Sequence, residues 1–280
     1  MKKYRYLWAL AVPLLFALLV WYTGRGEPDK AKLDLSRLGR GVVSVKYTGD
    51  TTGRVKCQIT KTGGMDYNYD LDNAGAWETF PLTQGEGEYT LRVLEQLEGI
   101  RYTPVFTQTL DVKLDDPLAP YLEANQFVWY TESSRCVSVA EELTAALETD
   151  SQKSDALLTY VAGALEYDDE KAETVASGYL PDLDVILAEG KGICFDYAAL
   201  LCAMLRAQGI PARMAVGYCG EAYHAWVEVW SETEGEAGGI PLTPDAWTRL
   251  DPTFLSQRGQ TAFILNYIQD DGNYQTKYLY

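Results

Sequence analysis

Gly190-Lys191-Gly192-Ile193-Cys194-Phe195-Asp196-Tyr197-Ala198-Ala199-Leu200-Leu201-Cys202-Ala203-Met204-Leu205-Arg206 carries most of what can be read from this chain. Glycines lead into it and Gly209-Ile210-Pro211 stops it, so a helix is expected to start near Cys194. Cys202 sits inside the apolar run and reads as a small core residue. Cys194 sits at the helix N-terminus, where backbone N–H groups lack intrahelical partners and favour negative charge. A thiolate is the nucleophilic form of cysteine, and such a position favours it. Cys219, on a turn beside Gly220, is a rival nucleophile with nothing in the sequence to activate it.

Three β-like stretches follow the helix: Ala212–Tyr218, Tyr223–Trp230 and Ala246–Leu250, the last two separated by a Gly-rich acidic loop, Ser231–Pro244. The second contains His224, the only histidine in the chain. One imidazole excludes any site built from several, such as a three-histidine zinc centre. It also makes His224 the first candidate for acid–base work near neutral pH. Strand alternation puts His224, Trp226, Glu228 and Trp230 on one face and Ala225, Val227 and Val229 on the other. A symmetric hairpin through the long loop would set Glu228 opposite Trp247, Trp226 opposite Arg249 and His224 opposite Asp251. That register is an assumption, because a long loop does not fix one. It nevertheless brings a carboxylate to the imidazole. A thiol near His, with the His oriented by a carboxylate, is an arrangement for covalent acyl chemistry.

Upstream the pattern changes. From Gly41 to about Leu114, Val43/Val45/Tyr47, Val55/Cys57/Ile59, Tyr67/Tyr69 and Tyr89/Leu91/Val93 alternate with a period of two, with Gly-containing turns between. Short strands at this spacing predict a small β-sandwich. Within it Asp66, Asn68, Asp70 and Asp72 resemble the start of a calcium loop, but Leu71 stands where the glycine belongs and Trp77 where the closing glutamate belongs. A solvated strand and turn is the better reading, and no metal or cofactor is assigned. After a boundary at Asp115–Pro120, Val139–Leu147 and an i, i+4 stripe of Ala156, Leu157, Tyr160, Val161, Ala164 and Leu165 read as helices, the second with Ser154 or Asp155 as N-cap.

The chain is 280 residues long with 24 Lys+Arg against 40 Asp+Glu, a net charge of −16. Phosphate binding needs clustered cations, so nucleic acid is excluded as the expected partner. Lys2, Lys3 and Arg5 precede an apolar run from Tyr6 to Tyr22, flanked by Trp8, Trp21 and Tyr22. This fits a membrane anchor with its cations inside and the remainder outside the cytoplasm, or a cleaved export signal. Five cysteines, an odd number, leave at least one thiol unpaired in the monomer. The expected organisation is an anchor at 1–23, a linker at 24–40, a β-sandwich-like domain at 41–115 and an α+β domain at 116–280.

The helix block, with Gly209-Ile-Pro-Ala-Arg213 and Gly217-Tyr218 after it, resembles the core of the transglutaminase-like superfamily. So do Tyr223-His224-Ala-Trp226-Val-Glu228-Val and Trp247 followed by Leu250-Asp251-Pro-Thr253-Phe254, and Leu165-Glu-Tyr167-Asp168 upstream. The likeness covers roughly 118–280, and the whole chain resembles bacterial membrane-anchored or secreted members with a β domain before the core. It implies a papain-like α+β core with Cys194, His224 and Asp251 as catalytic triad. It also implies protein or peptide substrates, cell-wall peptides among them, and either acyl transfer or hydrolysis through a thioester. A surface module that keeps the triad without turnover is the alternative.

Overall fold

The computed structural model describes residues 29–280. The anchor expected at 1–23 lies outside them; among the described residues no helix is long and apolar enough to cross a membrane.

Seven strands form the first half: β1 (Ala31–Asp34), β2 (Val42–Tyr47), β3 (Val55–Lys61), β4 (Asp66–Leu71), β5 (Trp77–Pro81), β6 (Gly87–Glu98) and β7 (Arg101–Val112). They make two antiparallel sheets, β1-β2-β5 and β4-β3-β6-β7. The alternating residues Val43, Val45, Tyr47, Cys57, Ile59, Tyr69, Leu91 and Val93 meet in one core between them. Strand β1 corrects the linker expected at 24–40. Ala-Lys-Leu-Asp is too short and too charged to read as a strand, yet it pairs with β2 from Ala31↔Tyr47 to Asp34↔Ser44 and buries Ala31. The acidic cluster lies on β4 and its turn, with protein partners. Asp66 accepts from Thr60 Oγ1 (2.7 Å), Asn68 from Gln58 Nε2 (3.1 Å), and Asp70 from Arg54 (2.8 Å) and Lys56 (3.0 Å).

The second half is α+β. Its helices are α1 (Arg135–Thr144), α2 (Asp150–Ala164), α3 (Asp169–Thr174), α4 (Leu183–Glu189), α5 (Cys194–Ala207), α6 (Pro252–Arg258) and α7 (Ala262–Gln269). A two-residue parallel pair, β8 (Glu166–Tyr167) with β9 (Lys191–Gly192), precedes α5. Strands β10 (Ala212–Cys219), β11 (Ala222–Ser231), β14 (Ala246–Leu250) and β15 (Tyr274–Leu279) form an antiparallel sheet in the order β14-β11-β10-β15. A small hairpin, β12 (Gly235–Ala237) and β13 (Ile240–Leu242), fills the loop before β14. Helix α5 is buried on every side from Asp196 to Arg206 and packs on β10 and β11. A helix apolar all round belongs in a core. Helix α2 starts earlier than its stripe indicated: Thr149, not Ser154 or Asp155, is its N-cap, in a capping box with Gln152.

The halves are joined by interlocking contacts. Within the second half Arg206, nearly fully buried, donates to the carbonyls of Ala212 (2.8 Å), Glu123 (2.8 Å) and Tyr280 (2.7 Å), which fixes the residue that reaches across. Tyr280 packs against Phe127 (ring centroids 4.5 Å apart) and Tyr67 (5.6 Å), and Tyr278 against Tyr67 (5.4 Å). Offset and edge-on rings of this kind add to simple area burial.

Candidate active site

Cys194 is the first residue of α5, and the chain before it is shaped to put it there. Gly190 ends α4 in the left-handed region (φ 65°), and a Cβ on Gly192 would lie 2.8 Å from Asp196 Cβ. Ile193 at the N-cap has no side-chain acceptor, so the stabilisation comes from inside the helix. Asp196, fully buried, reaches back and accepts from the Ile193 N–H (2.9 Å). The same carboxylate accepts from Lys171 Nζ (2.6 Å) and Tyr179 O–H (2.7 Å), and Lys171 also donates to Tyr179 (2.7 Å). Burial, and then the hydrogen bond to Asp196, push the Tyr179 phenol up, so it stays a neutral donor.

Asp251 follows β14 and is the N-cap of α6, with Pro252 at the first helical position. It is fully buried, and three donors share its oxygens. The Phe254 N–H meets Oδ1 (2.9 Å); His224 Nε2 (2.7 Å) and Tyr274 O–H (2.9 Å) meet Oδ2. The bond to Nε2 leaves Nδ1 as the nitrogen available to Cys194. Burial lowers the His224 pKa. The charge and hydrogen bond of Asp251, followed by the hydrogen bond and charge of Cys194, outweigh it and raise the imidazole to about 10. The His224 ring stacks toward Trp226, which is wholly buried, and meets Phe254 edge-on (5.4 Å).

The pairing of β11 with β14 differs from the symmetric hairpin by two residues: Glu228 faces Arg249 and Trp230 faces Trp247. The β12–β13 hairpin takes up the loop unevenly. A shift of two keeps every side chain on its expected face. Asp251 still reaches His224 because it has left the strand and begun a helix. Opposite His224 on β10 stands Gly217, at a bulge against β15 where a Cβ would lie 2.0 Å from the Gln275 carbonyl oxygen.

Cys194 and His224 open on one cleft of about 530 Å³, whose walls include Tyr167, Tyr179, Phe195 and Tyr223. Burial, then the Cys194 charge, raise Tyr167 to about 12. The other thiols do not share this setting. Cys57, Cys136 and Cys202 are buried and pushed up by that burial, Cys136 to about 11 and Cys202 to about 12. Cys219 packs against Tyr267 (3.7 Å) and Tyr274, away from the cleft. Three parts of the site escaped the sequence reading. Tyr274 comes from the last strand, and Lys171 and Tyr179 flank a stretch without periodicity. Lys56, Asn68 and Asp70 of the β domain also line the cleft; in the sequence Asn68 and Asp70 resemble part of a calcium loop and read as a solvated strand and turn, and Lys56 carries no signal. No group of His, Cys, Asp and Glu among the described residues is arranged to hold a metal ion.

Comparison with known proteins adds the following. Residues 137–252 match the model of the transglutaminase-like superfamily. A protein-glutamine gamma-glutamyltransferase of Pseudomonas aeruginosa is 32% identical over 85 residues, a stretch covering 25% of this chain and only 11% of that protein. Among solved structures, a Cytophaga hutchinsonii protein provisionally assigned as a cysteine protease aligns at TM-score 0.38 and 19% identity, covering 73% of this chain and 68% of that one. Red sea bream transglutaminase aligns at TM-score 0.35 and 15% identity, covering 78% and 49%. The matched segment runs from α1 through α5 and the strands that follow it to the start of α6, and over that segment the chain is similar to the transglutaminase-like superfamily.

Proposed function

We propose that the chain is a cysteine acyl-transfer enzyme acting on the carboxamide or peptide carbonyl of a polypeptide, with Cys194 as nucleophile, His224 as proton carrier and Asp251 as its orienter. The observation that carries this is the 2.7 Å His224–Asp251 bond at the wall of the cleft into which Cys194 opens. An imidazolium persisting to about pH 10 stabilises negative charge on the neighbouring sulfur and holds the proton that a leaving amine needs.

The steps balance without a cofactor. The Cys194 sulfur bonds to the carbonyl carbon, and the electron pair of the C=O bond moves to oxygen. The backbone N–H of Cys194, at the first position of the helix where no intrahelical acceptor exists, would hold that oxyanion. Collapse breaks the C–N bond, and the His224 proton leaves with ammonia or amine. The thioester is then attacked by an amine, giving a cross-link, or by water, giving a carboxylate. His224 takes the attacking group's proton, and the sulfur departs as thiolate. The Tyr6–Tyr22 run behind Lys2, Lys3 and Arg5 would hold the enzyme at a membrane with this cleft outside the cytoplasm.

Incubation with casein and a labelled primary amine tests the reading. Incorporation identifies a transferase, ammonia alone a deamidase, and new peptide termini a protease; each should vanish in Cys194→Ala and His224→Ala. Absence of all three, with a Cys194 no more reactive toward iodoacetamide than a free thiol of pKa about 8.5, would overturn it.

A further inference from the structure

Part of the wall of the cleft belongs to the β domain. Lys56 on β3 and Asn68 and Asp70 on β4 line the same cavity as Cys194 and His224. They point outward from strands whose alternate residues, Cys57, Tyr67 and Tyr69, fill the sandwich core. A domain serving only as a spacer has no need of a fixed position, yet this wall is held from three directions. From the core, the Leu279 N–H donates to Tyr67 Oη (3.0 Å), and Thr83 Oγ1 donates to the Leu279 carbonyl (2.7 Å). From the connector, Gln126 Nε2 donates to the Asp70 carbonyl (2.7 Å). From across the cleft, Gly178 (φ 87°) runs so close that a Cβ there would lie 2.6 Å from Asp70 Oδ2.

The volume argues in the same direction. A cleft of about 530 Å³ is in the range that encloses ligands far larger than a carboxamide. A lone carboxamide fills only a small part of that volume, which leaves room beside Lys56, Asn68 and Asp70 for the residues flanking it in a polypeptide. The wall's chemistry is polar and internally balanced. Asp70 is shared by Lys56 (3.0 Å) and Arg54 (2.8 Å), while Asn68 Oδ1 accepts from Gln58, turning its amide N–H₂ to other acceptors.

Resting on the acyl-transfer reading above, we propose that Lys56 and Asn68 are specificity-determining residues: the β domain is one half of the acyl-donor site and selects polypeptides with polar, hydrogen-bonding residues beside the reactive carboxamide. The test is alkylation of Cys194 in the full-length chain by two reagents. One is iodoacetamide. The other is a mixed-sequence pool of pentapeptides whose central glutamine carries a chloromethyl ketone in place of the carboxamide, the captured sequences being read by mass spectrometry. Wild type should enrich polar flanking residues. Lys56→Ala and Asn68→Ala should each slow peptide capture about fivefold, the loss expected for one hydrogen bond, and lose the enrichment, with the iodoacetamide rate unchanged. Identical capture and enrichment in variants and wild type would overturn the proposal. So would a parallel fall with both reagents, which would make the wall a structural prop. A wild-type Cys194 inert to both reagents would instead sink the acyl-transfer reading, and this proposal with it.

Discussion

Lys171 Nζ stands 2.6 Å from Asp196 Oδ2, and the two partners differ sharply in exposure: the lysine side chain is 27% exposed and the carboxylate 0%. Removing one partner therefore does not equal removing the other. Lys171→Met strands a charge inside the protein, for which the cost is on the order of 3–5 kcal/mol. Asp196→Asn lets the freed ammonium turn to water and should cost clearly less. Joining the two substitutions should recover much of the Lys171→Met loss. Urea denaturation of the four proteins checks the ordering, and equal single losses would refute it.

A second expectation concerns the single imidazole. Because His224 is the only histidine, its ring proton signals can be assigned without mutants. They should remain at the imidazolium position through pH 8 and titrate near pH 10. In Asp251→Asn, with the largest raising influence gone, the titration should move toward the ordinary value of about 6.5. The stability consequence has a definite sign. A pKa raised in the folded state gives stabilisation that is complete below about pH 6.5 and disappears as pH rises through about 10. Wild type should lose this contribution across that window, and His224→Gln should show no such component.

Tyr274 supplies an orienting contact that the three-residue picture omits. Tyr274→Phe removes one of the two donors on Asp251 Oδ2. A hydrogen bond to a charged group contributes about 1.5–3 kcal/mol, so the melting temperature should fall measurably while Cys194 remains alkylatable. Unchanged stability would show that the phenol only fills space.

Gly217 should tolerate no side chain. The Gln275 carbonyl that would meet the new Cβ is backbone, within a paired strand, and cannot swing aside. Gly217→Ala should destabilise by about 3 kcal/mol or more and, by separating β15 from β10, reduce cleft reactivity as well. Circular dichroism melts and the iodoacetamide rate measure the two effects.

Much of this was legible in the sequence because it is periodic or local. The alternating β residues are the ones buried between the two sheets, and the glycines before Cys194 mark the start of its helix. Strand parity alone placed His224 on the face that meets Asp251. What escaped is non-local. The β11–β14 register depends on how the inserted β12–β13 hairpin consumes its loop. Strand β1 owes its existence to β2 rather than to its own four residues. Nothing in the pattern around Lys171, Tyr179 or Tyr274 announces that they converge on Asp196 and Asp251 from other elements. The role of β3 and β4 as a cleft wall is likewise a property of domain docking, to which no strand pattern speaks.

Strand β15 has a consequence for timing. Residues 274–279 deliver the phenol on Asp251, pair with β10, and bring Tyr278 to the sandwich, with Tyr280 following. Synthesis proceeds from the N-terminus, and domains fold as they emerge. Cys194, His224 and the residues lining their cleft, Tyr280 aside, are thus translated before the strand that pairs with β10 and reaches Asp251. A chain stalled short of residue 274 would hold Cys194 in an unfinished cleft, so assembly of the site coincides with completion of this segment.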